Sequence, residues 1–117
     1  MAIIQSTSVH TAAKLFRGLS DPTRLSILVE LMNGEQRVAD IVAKIGGSQS
    51  NISAHLSCLK ECELITDRPG ERRQVFYSIS NPELFDLLRS AERVLEVSGT
   101  SIELCHNPLY QIGDKDE

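Results

Sequence analysis

Three cysteines carry the sharpest chemical signal in the chain. Cys58 and Cys62 stand four residues apart, a spacing that on a helix stacks two side chains on one face with Cβ atoms ~5–6 Å apart. Two thiolates so placed can share one soft metal ion. Cys105, far along the chain, supplies a third only if the tail folds back, onto its own chain or across a dimer. Three sulfur donors with little carboxylate or imidazole nearby select Cd(II), Pb(II), As(III) or Cu(I) over Mg(II) or Ca(II), because ligand softness sets the preference. Zn(II) is explained less well, since Cys₃ zinc sites complete a tetrahedron with a fourth ligand. His106 could provide one, although its adjacency to Cys105 makes simultaneous ligation awkward. Two other uses compete: isolated buried cysteines commonly serve as small apolar fillers, and a Cys58–Cys62 disulfide would make a redox switch. The ~3.8 Å Cβ separation that a disulfide requires would strain an intact helix.

The helix that must carry the pair runs from Gln49 to Glu63, with Ser48 as its cap and Ile52, Leu56 and Leu59 as a narrow apolar stripe. Before it, Val38, Ile41, Val42 and Ile45 repeat at three and four residues and stop at Gly46-Gly47. Two short helices joined by a glycine turn form a helix-turn-helix, here about residues 38–63. At ~100° per residue, Ser50, Ser53, Ala54 and Ser57 fall on the outward half of the second helix. Small polar side chains let a helix sit deep in a major groove, where hydroxyls reach base edges or phosphates, and Gln49 near the helix start could bond adenine bidentately. Lys60 can reach backbone phosphate. The thiol pair lies to the side of the apolar stripe, opposite Lys60, where a bound metal would pull on the helix without entering the groove. His55 sits toward the inner boundary and reads as a packing histidine.

Upstream, Val9, Ala12, Ala13, Phe16 and Leu19 predict an amphipathic helix over about 8–18. Asp21-Pro22 caps a second helix over 21–33, with Leu25, Leu28, Val29 and Met32 on one face and Gly34 as its stop. Downstream the period changes to that of a β-hairpin over about 65–79, with Pro69-Gly70 as the turn and Val75 to Ile79 as the β-prone return strand. Arg68, Arg72 and Arg73 flank or top this wing, where they can grip phosphates or enter a minor groove. Asn81-Pro82-Glu83 restarts a helix carrying Leu84, Leu87, Leu88, Ala91 and Leu95 through residue 98, and residues 99–117 read as an irregular tail. The fold class is mainly α with a small β-hairpin: a winged helix-turn-helix occupying residues 1–117 as one domain.

Composition agrees with one small domain: 117 residues, 41% of them hydrophobic, leave no room for a two-domain enzyme. No Gly-rich phosphate loop, Ser-His-Asp set or paired-acid motif is present, so neither an enzyme nor a binder of small organic substrates is expected. The longest uninterrupted apolar stretch is the four residues Met1 to Ile4, far below the ~20 of a membrane span. No signal peptide opens the chain, so a cytoplasmic location with reduced thiols is expected. The net charge of −4 opposes broad affinity for phosphate, yet Arg68, Arg72 and Arg73 crowd a stretch with the single acid Glu71. A compact basic point survives on an acidic protein.

The stretch Leu19-Ser20-Asp21-Pro22-Thr23-Arg24-Leu25-Ser26-Ile27-Leu28, then Ser50-Asn51-Ile52-Ser53-Ala54-His55-Leu56-Ser57-Cys58-Leu59 and Arg72-Arg73-Gln74-Val75-Phe76-Tyr77, resembles the ArsR/SmtB family of bacterial metal-responsive winged-helix repressors. The resemblance covers roughly residues 9–98. Within it, His55 to Cys62 plus a lone tail cysteine is similar to the CmtR-like subgroup, which senses cadmium and lead. The resemblance implies a homodimer whose interface is formed by the helices at about 8–18 and 82–98, reading a palindromic operator through Ser50 to Ser57. It also implies release from DNA on metal binding, with Cys58 and Cys62 as helix ligands and Cys105 as the tail ligand. The helix from Val38 to Ile45 lacks the Cys-x-Cys motif of arsenic-sensing members, and Pro82 to Gly99 contains no histidine for an interfacial zinc site. Alternatives are an arsenite-responsive repressor, since three thiolates also satisfy pyramidal As(III), a thiol-redox regulator, and a winged-helix module that binds protein instead of DNA.

Overall fold

The computed structural model describes residues 2–99 and 102–104, with side chains from Thr7 onward. In chain order the elements are α1 (Ala2–Leu19), α2 (Pro22–Leu31), β1 (Gln36–Arg37), α3 (Val38–Ile45), α4 (Gln49–Glu61), β2 (Ile65–Pro69), β3 (Val75–Ile79) and α5 (Glu83–Val97).

Local chemistry sets most of the starts. The Asp21 carboxylate accepts the Arg24 N–H at 3.1 Å, with Pro22 in the first turn of α2. Ser48 Oγ accepts the Asn51 N–H at 3.1 Å to open α4. Asn81 Oδ1 accepts the Glu83 N–H at 2.9 Å ahead of α5. Each satisfies a helical donor that would otherwise lack a partner. α3 lacks such a cap residue, and Asp40 reaches back instead. Its carboxylate accepts the Arg37 N–H at 3.1 Å and holds the Arg37 guanidinium at 3.1 and 2.9 Å.

The core gathers around α2. Ile27, Leu28 and Leu31 meet Ile41 of α3, Ile52, Leu56 and Leu59 of α4, and Leu64, Ile65 and Leu84. A smaller cluster of Met32 and Leu88 receives Leu104. The Leu104 N–H donates to Glu92 Oε2, which sets Leu104 against α5. The sheet order is β1-β3-β2, all antiparallel. β2 and β3 pair from Ile65↔Ile79 to Pro69↔Val75, and β1 adds Gln36↔Tyr77 and Arg37↔Phe76.

Several boundaries differ from the sequence expectation. α1 begins at Ala2, not near residue 8: no Gly or Pro stands between residues 2 and 17, so propagation costs little once the helix exists. α2 ends at Leu31, because Met32 and Asn33 form a closing turn with Gly34 N–H on Leu31 O at 3.0 Å. α4 ends at Glu61, because Glu63 is left-handed at φ 64° and the Leu64 N–H returns to Leu59 O at 3.0 Å. α5 spans Glu83–Val97, one residue shorter at each end than the expected 82–98. The wing does not turn at Pro69-Gly70: Pro69 stays in β2, and the reversal is a 3₁₀ turn at Glu71–Arg73, with Arg72 and Arg73 at φ 58° and 67°. Two-residue β1 makes the expected hairpin a three-stranded sheet; no alternation is readable in so short a strand.

Among the described residues no helix is long and apolar enough to cross a membrane. α1 and α5 nonetheless present exposed Val9, Phe16, Val94, Leu95 and Val97.

Candidate metal centre and nucleic-acid interface

With Ile52, Leu56 and Leu59 turned into the core, the helical period puts Cys58 and Cys62 on the flank of α4, half-buried and free. The Cys62 N–H closes the last turn on Cys58 O at 3.0 Å, which sets the two residues one turn apart. Burial pushes the Cys62 thiol above its ordinary 9.0, and the neighbouring Cys58 adds to the rise through charge and hydrogen bonding. Lys14 and Arg17 of α1 oppose it. Cys62 is therefore a thiol at neutral pH, and an incoming cation must displace its proton.

Cys62 lines a cavity of about 670 Å³ between α1, the end of α4 and the start of α5, walled by Thr11, Leu15, Leu84 and Leu87. Buried Gly18 of α1 lies beside Cys62 and Leu64. A methyl group there would lie 2.6 Å from Leu64 Cδ1 and 3.5 Å from Cys62 Cβ and Sγ. Nothing in the pattern of the first helix marks Lys14, Arg17 and Gly18 as neighbours of the thiols, because their partners lie more than forty residues downstream. Cys105 and His106 lie outside the described residues. Among the described residues no three His, Cys, Asp or Glu side chains cluster to hold a metal, so the structure brings together two of the three expected sulfur donors.

On α4, Gln49, Ser50, Ala54 and Ser57 are exposed and Ser53 is half-buried. Lys60 is exposed but held by Asp67 at 2.9 Å. Arg68 is more firmly engaged. Its Nε and Nη2 donate to Glu35 at 2.7 and 2.8 Å, and its guanidinium stacks 4.7 Å from the Phe76 ring centroid. The same guanidinium lowers the Glu35 carboxyl below its ordinary range. The basic set therefore divides: Lys60 and Arg68 are each paired with a carboxylate, whereas Arg72 and Arg73 stand exposed at the tip. His55 is half-buried with Nε2 4.0 Å from Asp21 Oδ2, which ties α4 to the start of α2 and agrees with a packing role.

The model for the arsR family of bacterial regulatory proteins matches residues 21–67, which span α2 to the first half of the wing. A probable mercury resistance operon repressor of Streptomyces lividans is 34% identical over 104 residues, covering 89% of this chain and 82% of the relative. The chain belongs to the arsR family. Membership places it among bacterial regulatory proteins and outside the enzymes. The transcriptional regulator CmtR of Mycobacterium tuberculosis is 43% identical over 72 residues, 62% of this chain and 60% of that protein. The solution structure of that cadmium sensor superposes with a TM-score of 0.60 at 40% identity, over 71% of this chain and 85% of the other. A homodimeric winged helix-turn-helix DNA-binding domain from Mycobacterium bovis matches with a TM-score of 0.71 at 27% identity, over 79% of this chain and 84% of that one. The fold of this arsR-family member is accordingly a winged helix-turn-helix, with α3 and α4 as the helix pair and β2–β3 as the wing.

Proposed function

We propose that the protein is a cytoplasmic, homodimeric repressor of the CmtR-like kind that holds operator DNA when metal-free and releases it when a thiophilic ion, Cd(II) or Pb(II), joins Cys58, Cys62 and Cys105. The observation that carries the reading is that Cys58 and Cys62, both half-buried and free, stand one helical turn apart at the end of α4, with the Cys62 N–H on Cys58 O at 3.0 Å; the outer surface of that helix bears Gln49, Ser50, Ala54 and Ser57. One rigid element thus carries both the soft donors and the groove-facing side chains. A relative named for mercury resistance and another named as a cadmium sensor support a thiophilic ion over a hard one.

In the DNA-bound form Gln49, Ser50, Ser53 and Ser57 face base edges, with Ala54 giving the close approach that a larger side chain would block. Arg72 and Arg73 take phosphates from the wing, while Lys60 and Arg68 add theirs on leaving Asp67 and Glu35. The exposed apolar residues of α1 and α5 are the material of the dimer contact. The relative from Mycobacterium bovis, itself named homodimeric, supports that arrangement.

Ligation converts the thiols to metal-bound thiolates and releases their protons. With the sulfurs drawn onto one ion and onto the tail, α4 is fixed in a setting that does not match the half-site spacing of the operator. A 100-fold loss of DNA affinity corresponds to ~2.7 kcal/mol of coupling, and DNA must weaken metal binding by the same factor. The test is a fluorescence-anisotropy titration of a duplex that the protein itself selects from a random pool, with and without one equivalent of Cd(II) per protomer. Release in Cd(II) is expected; equal affinities would refute derepression. Arsenite and Hg(II) in parallel titrations identify the preferred ion.

A further inference from the structure

The cavity of about 670 Å³ beside the thiol pair is far larger than a bare metal ion needs and falls in the size range of small-molecule sites. Ala12 and Leu15 of α1, Leu64 after α4, and Leu84 and Leu87 of α5 wall it, with Cys62 standing among them. Leu64 and Leu84 belong to the main core, while Leu15 and Leu87 pack against that core and stay partly exposed. A free, half-buried thiol thus stands in an apolar recess. At ~100° per residue, Thr11 and Leu15 of the cavity wall lie more than ~90° around α1 from Val9 and Phe16. The recess therefore occupies a different side of α1 from its exposed apolar residues.

A bare soft ion collects several sulfurs, whereas a mercury atom already bonded to one carbon takes a single thiolate in line with that carbon and leaves its organic group to be housed. We propose that Cys62 and this cavity form a site for a monoorganomercury cation, with the Cys62 sulfur on mercury and the organic group against Leu15, Leu64, Leu84 and Leu87. The inference deepens the proposed function: it rests on Cys62 as a soft-metal ligand and adds an organic specificity to the same site. The step is a ligand exchange. The Cys62 S–H bond breaks, the sulfur bonds mercury, and the proton leaves with the hydroxide or acetate displaced from mercury. The carbon–mercury bond stays intact, and nothing is oxidised or reduced. One thiolate and one organomercury cation make a neutral product, which an apolar recess holds without stranding a charge. No local pattern announces the site, because its walls are drawn from residues 12 to 87.

The experiment sets the protein against glutathione for methylmercury, ethylmercury and phenylmercury, reading adducts by intact-protein mass and their position by peptide mapping, in the wild type, Cys62→Ser and Ala12→Phe. Competition with glutathione cancels differences in the sulfur–mercury bond itself and leaves the contribution of the organic group. The expected result is a first equivalent on Cys62, held at least ~10-fold more tightly as phenylmercury than as methylmercury, with ethylmercury between them, because the larger group buries more apolar surface. Cys62→Ser should lose that preference. Ala12→Phe places a ring in the recess and should reduce the preference to under ~3-fold, while Cd(II) stoichiometry by thiolate charge-transfer absorbance checks that the thiol pair is intact. If Ala12→Phe does not fold, the three-ligand series in the wild type decides alone. Equal retention of methylmercury and phenylmercury, or a first equivalent on Cys58 or Cys105, overturns the inference, and Cd(II)-driven release of DNA would then stand without it. A phenylmercury preference in a protein indifferent to Cd(II) supports this site and removes the Cd(II) reading instead.

Discussion

Carboxylates and thiols in this protein respond to pH in opposite directions. Arg37 holds the Asp40 carboxyl at about 2 against an ordinary 3.8, first through its side-chain hydrogen bonds and then through its backbone N–H. The depressed value favours the folded state above an unfolded pKa of 3.8, and that contribution is lost as pH falls through about 2. Carboxyl NMR should place the Asp40 midpoint near 2, and Arg37→Ala should return it toward 3.8. Cys62 has the reverse sign. Burial raises its thiol above 9.0, so its contribution is present below that value and is lost as pH rises through the raised one. Cd(II) competes with the same proton, and its affinity should fall on acidification by up to ~10-fold per pH unit for each proton released, measured by charge-transfer titration between pH 8 and 6. The four-residue spacing of Cys58 and Cys62 was legible because helical period alone makes them neighbours. The Arg68–Glu35 pair spans 33 positions and depends on how β1 joins the wing, so no local pattern announces it.

The starts of α2 and α4 and the end of α3 at Gly46 were written in short-range chemistry; the start of α1 and the end of α4 were not. Asp21 before Pro22 and Ser48 before Gln49 are side-chain caps that the sequence displays directly. Asp21→Ala should cost about 1 kcal/mol, seen as a lower urea midpoint with unchanged slope. The end of α4 is set instead by Glu63 in a left-handed conformation, where a glycine would have signalled the stop. Glu63→Gly removes a left-handed strain of about 1 kcal/mol against a smaller gain in unfolded-chain entropy. Its Tm should rise by about 2–4 °C in a calorimetric scan. The wing misleads in the same way: Pro69-Gly70 has the composition of a turn, yet Pro69 pairs with Val75 and the chain reverses at Arg72 and Arg73. That displacement carries both arginines to the extreme tip, the position from which a wing reaches DNA.

At the scale of the molecule, the proposed repressor is an acidic chain of net charge −4 that would hold a polyanion through a few local cations, two copies acting together. Phe16→Glu places a charge on the exposed apolar face of α1 and should shift sedimentation toward the monomer, with operator affinity falling at least ~100-fold because both half-sites are no longer engaged at once. The helical core and the two long strands of the wing followed from periodicity and caps in order along the chain, while the place of the wing's turn did not. The place of the third sulfur does not follow from such rules, since the residues after Leu104 obey no helical or strand period. The central claim is that Cys58, Cys62 and Cys105 together grip one soft cation. Cd(II) stoichiometry per protomer, read from thiolate charge-transfer absorbance in the wild type and in Cys58→Ser, Cys62→Ser and Cys105→Ser, tests it most directly. One ion per protomer in the wild type, with binding weakened by each substitution, is the expected result; tight binding of one ion with any of the three sulfurs removed would contradict it.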